Sequence, residues 1–500
     1  MRKLFLYLTT LFCIVSLCSC SDSREETVIQ SKQDLLGKHI GVITGTFHDQ
    51  LVLDSIGQVE LSYFQSVTEI VLALQKEKID AAIFELINAT RFTKKYSDIK
   101  ILEKILPTVP QAIGLKKGSP LKAELDPIIE QMFNQGFYAK LVEKWISNEE
   151  SEMPKQDWEG KNGTLVVGTT GAMPPTNFYL NNELAGADME LVLAIGKILD
   201  KKIEFVTMDF NSLMPALQTG KIDMCIAGIV ITEERSQIID FTHPYFESAI
   251  IAMVKKELSN AKAANSSFFD ELKASFHRTF IIESRWKMIL NGLGVTLILS
   301  ILSGIFGILL GFIICLFRRS KLKISSIPSA VFIRIIQGMP ILVLLMILYY
   351  VIFAHSNISG IIVAIIGFSI NFGVYASEIM RSGMDAVDKG QMEAAAALGY
   401  NKRQSFFKIL LPQAANHFIP VLKGEFISMV KMTSVVGYIA VVDLTKVSDI
   451  IRSRTMEAFF PLIATAILYF IIALLLTRIL VLIEKKTDPK QRPRKIRRVV

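Results

Sequence analysis

The sequence predicts two architectures in one chain: an α/β region over residues 35–256, then an all-α membrane region of about five transmembrane helices over 286–482. Three observations carry this. Charged residues run through positions 24–287, whereas the long apolar stretches lie between 288 and 480. The first region alternates strand-like and helix-like segments, the signature of a mainly parallel sheet. The composition is intermediate as well: 51% hydrophobic residues and a mean hydropathy of +0.40 over 500 residues. That is too apolar for a soluble protein and too polar for one wholly within a bilayer.

The chain opens with Arg2 and Lys3 before an apolar run from Leu4 to Leu17, the pattern of a secretory signal over residues 1–20. Leu17-Cys18-Ser19-Cys20 resembles a lipoprotein cleavage box, which would put a lipid on Cys20; a plain signal peptide and an uncleaved anchor are the alternatives. Three of the five cysteines fall here, and the other two, Cys225 and Cys315, sit in different halves. No disulfide framework is expected. The formal charge of +8 needs no nucleic acid to explain it, because much of it flanks the apolar runs, where it sets orientation.

Within the α/β region, Thr164–Gly168 reads as a buried strand and Asp188–Leu199 has helical apolar spacing. Lys202–Val206 is a strand, Leu213–Leu217 a helix, and Asp223–Ala227 a strand again. Ligands of such sheets sit at the carboxyl ends of the strands. A linker, 257–285, leads to the membrane region.

Met288–Phe317, Ile335–Ala354, Ser356–Ser377 and Ala458–Thr477 carry no charge and can span. A fifth span between Pro412 and Val442 is interrupted by Lys423, Glu425 and Lys431. Arg318, Arg319, Lys321 and Lys323 follow the first span, and the tail at 483–500 is strongly basic, so both belong in the cytoplasm by the positive-inside rule. With the α/β region outside and the tail inside, the number of spans is odd. Arg334, Glu378, Lys423, Glu425 and Lys431 are expected to face a bundle interior or cavity, or to lie at the interface.

The same topology places Gly390–Pro412, a polar helix-forming stretch, on the cytoplasmic side. A helix over Glu393–Leu398 is expected to stop at Gly399, and a second to end before Pro412. Glu393, Ala394, Ala395, Gly399, Phe406 and Pro412 fall at the spacing of the coupling loop of ABC importer permeases, which the segment resembles. Phe332–Pro340 and Lys431–Ser434 resemble further signatures of the polar amino acid permeases in that family, although Met432 departs from the second. The resemblance implies a permease homodimer in the lipid bilayer and a separate cytoplasmic ABC ATPase that docks on this loop.

Gly228–Arg235, continuing through Asp240–Tyr245, resembles the first lobe of periplasmic (type II) polar amino-acid-binding proteins, as do Gly168–Thr170 and Gly186–Leu191. In that family the arginine matching Arg235 grips the ligand carboxylate, for which a planar fork suits better than a point charge. Gly228 and Val230 would offer backbone groups and Phe210 a packing surface. Leu36–Thr46 and Ile79–Glu85 resemble the second lobe of the same fold, with Glu85 at the position that pairs with the ligand ammonium and Thr44 and Thr46 in the opening turn. The bland readings are a solvated helix-start arginine and an ordinary strand-end carboxylate. Thr170 stands where many members carry an acid, and Ile43 and Phe47 where some place Lys and Gly. Fewer charges favour a neutral or apolar amino acid over a charged one, and the expected substrate is a polar or neutral amino acid, glutamine-like most of all.

The lobe order is permuted: the second lobe with its closing helices occupies 35–150 and the first 161–256. Either one chain forms a circular permutant, or neighbouring protomers complete one another's domains. The permutant is expected to keep one intact crossing near Ala112–Lys117, with the other, near Ala252–Lys256, leading to the membrane. The chain contains no Gly-x-x-x-x-Gly-Lys-Ser/Thr loop, and its six histidines are dispersed. The expectation is a non-catalytic subunit with no catalytic residues, no metal and no cofactor. A ligand-gated channel and an exported amino-acid sensor remain the rival readings.

Overall fold

The computed structural model describes residues 29–102, 106–148, 151–256, 268–354, 356, 358–457 and 459–487. The signal segment with Cys20, linker residues 257–267 and tail residues 488–500 lie outside the described residues.

The strands are β1 (His39–Ile43), β2 (Glu60–Phe64), β3 (Ala81–Glu85), β4 (Ile99–Leu102), β5 (Thr108–Gln111), β6 (Gly114–Lys116), β7 (Thr164–Thr169), β8 (Ala172–Met173), β9 (Asn177–Leu180), β10 (Glu183–Ala185), β11 (Lys202–Thr207), β12 (Met224–Cys225), β13 (Ile239–Phe241) and β14 (Phe246–Lys255). They form two main sheets. Lobe two has the order β2-β1-β3-β14-β4, with β5 also on β14; lobe one has β11-β7-β12-β6-β13. β8, β9 and β10 form a small antiparallel sheet beside lobe one.

β14 corrects the boundary drawn from sequence. It lies within 161–256, yet it pairs antiparallel with β3, Ile250 opposite Glu85 and Val254 opposite Ala81. Every residue of β3 is buried. Such a strand needs a partner on both edges, and the apolar run Ile250–Val254 supplies the second. β6, conversely, crosses into lobe one and pairs with β12 and β13. The chain therefore passes between the lobes twice, at Ala112–Ile113 and at Thr242–Tyr245. The expectation of one intact crossing, with the other near Ala252–Lys256, is corrected: the second is intact and lies earlier. Both lobes are completed within a single chain.

The closing helices, Leu121–Asn134 and Phe137–Ser147, pack on lobe one. Trp145 is fully buried edge-on against Phe178, and its indole N–H donates to Glu190 Oε2 at 3.0 Å. The strand expected over Asp223–Ala227 shortens to Met224–Cys225, after which Gly228, at φ +63°, turns the chain toward the cleft.

Three described helices are each long and apolar enough to cross a membrane: Trp286–Arg318, Gly360–Asp385 and Phe460–Leu482. Two bent pairs bring the number to as many as five: Lys323–Gln337 with Ile341–Ile352, at 108°, and Lys402–Ile439 with Leu444–Thr455, at 58°. A continuous span over Ile335–Ala354 is corrected. The chain breaks at Gly338–Pro340 because proline cannot donate the backbone bond that would continue the helix. Arg334 is exposed on the first arm of that bend. Small residues let the first and third segments approach, since a Cβ on Gly311 would stand 2.6 Å from the carbonyl oxygen of Gly373. Glu378 pairs with Arg381 at 2.8 Å and Lys423 with Glu484 at 2.8 Å; Glu425 is part-buried and Lys431 exposed.

Lobe one and the membrane helices share one apolar cluster, from Leu213 and Ile229 through Tyr350 to Ile439. Cys225 and Cys315 are buried free thiols in different halves, so no pairing arises.

Candidate functional site

Among the described residues, a cavity lies where the lobes face each other. Thr44, Thr46 and Glu85 line it from lobe two, and Thr170, Phe210, Gly228 and Arg235 from lobe one. Of the binding residues singled out from sequence, only Val230 is not on its wall: the side chain is buried, and its carbonyl accepts from Arg235 at 3.0 Å.

Arg235 sits in the short helix Glu233–Ile238, whose start is capped by Thr232 accepting from the Arg235 N–H. The cap fixes the helix end at the cleft. The guanidinium lies 5.8 Å from the Phe210 ring centroid. Besides Val230 it donates across the cleft to the Gly45 carbonyl at 3.1 Å. Gly45 has φ +77°, and a Cβ there would fall 1.8 Å from Asn211 Oδ1 of lobe one, so this turn of lobe two closes onto lobe one only because it has no side chain. Two carbonyls occupy part of the fork; a guanidinium has five N–H groups, and the rest remain for an anion.

Opposite lies Glu85, at the end of β3 and only 4% exposed. His48 Nε2 stands 3.4 Å from its Oε1, while Oε2 is buried without a hydrogen-bond partner. Burial pushes the Glu85 carboxyl up, but the His48 side chain beside it and the surrounding donors outweigh that, and the net direction is down. The cleft thus offers a cation on one lobe and a carboxylate on the other, the polarity a zwitterion requires.

The third wall was not legible in the sequence. Ser434, Tyr438, Thr445, Lys446 and Arg452, all from the membrane half, line the same cavity. The Leu444–Thr455 helix, capped by Asp443 accepting from the Lys446 N–H, reaches both lobes. Lys446 Nζ pairs with Asp209 of lobe one at 2.5 Å, and Arg452 with Glu69 of lobe two at 2.8 Å. Beyond it, Lys95 and Tyr96 of lobe two donate to the carbonyls of Thr455 and Met456, and the Arg454 guanidinium lies 4.7 Å from the Phe178 ring of lobe one. The only sequence signal was a charged run, Lys446–Arg454, between apolar segments.

At the other end of the membrane region lies the Gly390–Pro412 loop. The helix Lys389–Ala397 ends at Gly399, which takes φ +82°. Glu393, Ala394, Gly399 and Pro412 are exposed, Phe406 is half-buried 6.4 Å from the Phe312 ring centroid, and Ala395 is buried in its own chain. Asn401 and Gln404 form a capping box that starts the next helix. That helix was expected to end before Pro412; it runs on as a π-turn, Phe406–Leu410, into Leu411–Met432. The wider turn accommodates a proline that interrupts the regular ladder.

The bacterial extracellular solute-binding proteins, family 3, match residues 165–408, of which the part up to Lys255 belongs to the two-lobed domain. The L-cystine transport system permease TcyB of Bacillus subtilis is 36% identical over 208 residues, which are 41% of this chain and 89% of that protein. A putative glutamine transport system permease, GlnP of Rickettsia bellii, is 36% identical over 203 residues, 40% of this chain and 92% of that one. A solved amino acid ABC transporter with histidines has 32% identity and a TM-score of 0.39, covering 45% of this chain and all of that one. The permease relatives decide between transporter, channel and sensor, and make this a multi-pass inner-membrane protein whose role is transport rather than catalysis. The chain belongs to the amino acid permeases of the ABC transporters, with a solute-binding domain fused ahead of its membrane helices.

Proposed function

We propose that the chain imports a polar or neutral amino acid, glutamine-like in preference, by presenting it from its own receptor cleft to its own membrane helices. The observation that carries this is the opposed pair on one cavity: the Arg235 fork for the α-carboxylate and the Glu85 carboxylate for the α-ammonium. Phe210 packs beside the carboxylate end, Thr44, Thr46 and Thr170 add hydroxyls, and the backbone at Gly228 and Val230 turns toward the ligand. The side chain of the ligand meets no unpaired cation on the described walls, because Lys446 and Arg452 are already paired with acids.

Two copies in the membrane form the path, with the two-lobed domain outside and the basic tail in the cytoplasm. A separate ATPase docks on Glu393, Ala394, Ala395, Gly399, Phe406 and Pro412. That GlnP relatives are described as glutamine permeases supports the ligand, and the apolar exposure of Leu398 beside Gly399 supports a protein surface there.

The test is ATP-driven uptake by the full chain in proteoliposomes with its ATPase, together with amino-acid binding measured by calorimetry in detergent. Glutamine should bind and be taken up. Arg235→Ala should weaken binding by about 100-fold, since truncating one side of a desolvated charge pair costs roughly 3 kcal/mol. Binding of glutamine that survives Arg235→Ala undiminished refutes the assignment.

A further inference from the structure

We propose that the membrane half selects the side chain of the bound amino acid: Asp449, on the helix Leu444–Thr455, accepts a hydrogen bond from the carboxamide of a glutamine-like ligand, and the wall around it turns glutamate away. This rests on the amino-acid reading above and adds to it. Arg235 and Glu85 face the α-carboxylate and the α-ammonium, which all amino acids share, so they cannot choose between side chains.

The lobes hand the ligand on to the membrane half. Phe210 lies beside the Arg235 fork, and its neighbour Asp209 already touches that half. Asp209 Oδ1 holds Lys446 Nζ at 2.5 Å, and a Cβ on Gly437 would stand 3.1 Å from Oδ2. The third wall therefore begins where Phe210 ends. Asp449 lines the same cavity, three positions after Lys446 and three before Arg452, so the three share one helix face.

The charges on this wall do not cancel. Lys446 meets one carboxylate, Asp209, whereas Arg452 meets two, Glu69 at 2.8 Å and Asp449 at 2.9 Å. Three carboxylates thus stand against two cations. Asp443, a further lining residue, is left aside because its oxygens are spent on the Lys446 N–H and the Tyr469 hydroxyl. The guanidinium beside Asp449 favours its ionised form, which can only accept. Arg452 takes Oδ1; among the described residues no donor reaches Oδ2, on a side chain that is 46% exposed. A carboxamide brings two N–H donors to that oxygen. Glutamate, of nearly the same shape, brings acceptors only and a charge of the wrong sign, and like charges brought together are penalised. A basic side chain would satisfy Oδ2 but add a third cation beside Lys446 and Arg452.

Calorimetry on the full chain in detergent, with L-glutamine, L-glutamate and L-arginine, tests this. Glutamine should bind the native chain roughly 100-fold more tightly than glutamate, because a site that hydrogen-bonds an N–H strongly rejects the isostere lacking it. Asp449→Asn keeps the shape and removes the charge, so the ratio should fall below about tenfold, chiefly through tighter glutamate binding. Asp449→Ser should move the ratio the same way, and thermal unfolding checks that both variants fold. Arg235→Ala, by contrast, should weaken both ligands alike. Glutamate that binds the native chain within about threefold of glutamine, with both lost in Arg235→Ala, overturns the selection and leaves the amino-acid site standing. A ratio unchanged in the folded Asp449 variants overturns the role of Asp449. Arginine that binds more tightly than glutamine overturns the carboxamide as the preferred end. If none of the three binds the native chain, the glutamine reading fails and this selection fails with it.

Discussion

Two helices at opposite ends of the membrane region have inverse surfaces. Leu444–Thr455 is polar yet buried: Lys446, Arg452 and Arg454 are each less than a tenth exposed. Lys389–Ala397 buries only Ala395, and the apolar Leu398 after it is 78% exposed. Each breaks the rule that apolar side chains are hidden and charges are wet. The first breaks it because its partners are in the same chain: its cations meet Asp209, Glu69 and Glu283. The second has no covering element among the described residues, and the ATPase docking proposed above would supply one. A buried charge with a partner marks an internal joint, and the exposed Leu398 marks the proposed external one.

The strongest contrast to the paired cations is a buried charge with no ionic partner. Asp188 in lobe one is fully buried and held only by neutral donors, Tyr138 at 2.5 Å and Asn177 at 2.8 Å. Burial pushes its carboxyl up to about 6, with the hydrogen bonds of Tyr138, Asn177 and Thr176 opposing. The sign is the reverse of a salt-bridged aspartate. Between the ordinary aspartate range and pH 6 the folded state holds the proton that the unfolded state has lost, so stability declines as pH rises through that window. A shift of about two pKa units corresponds to roughly 3 kcal/mol. Thermal unfolding between pH 4 and 7 should show the decline, and Asp188→Asn should remove most of it.

Next in size is the external joint. Leu398→Asp puts a charge where an ATPase groove would bury about 2 kcal/mol of apolar surface, a factor of roughly 30 in docking. ATP-driven uptake should fall by that order while glutamine affinity stays within about twofold, because the cleft is at the other end of the membrane region. Equal loss of binding and uptake would mean that the residue supports the fold rather than the coupling.

How much of this was legible in the sequence follows from the range of the interactions. The strand through Gly168 and the helix break at Gly399 are local, and each lies where the sequence pattern put it. β14 was assigned to the wrong lobe because its neighbours along the chain are lobe-one residues; only its pairing with β3, 165 or more positions away, shows otherwise. The bend at Pro340 was written in the sequence but outweighed by an uncharged window on either side. His48 and the cleft face of Leu444–Thr455 left no readable signal, since a lone histidine and a charged run describe most protein surfaces equally well.

The smallest expected effect bears directly on the internal joint. Lys446 and Arg452 are six residues apart, about 9 Å along one rigid helix, and each holds a different lobe. If the helix fixes the spacing of the lobes, breaking one pair frees one lobe, and a double-mutant cycle should register it. Lys446→Met and Asp209→Asn should each destabilise ligand-free lobe packing, because each leaves a part-buried charge alone. The double variant should recover about 1 kcal/mol relative to the sum of the two, the coupling expected for contacting residues in a half-buried pair. The direction of the effect on glutamine is informative as well. Should closure on ligand strain the Lys446–Asp209 contact, the double variant binds glutamine more tightly than the native chain; should closure preserve it, affinity is unchanged. A cycle with no coupling would mean that the shared apolar cluster from Leu213 to Ile439 alone seats lobe one on the membrane helices.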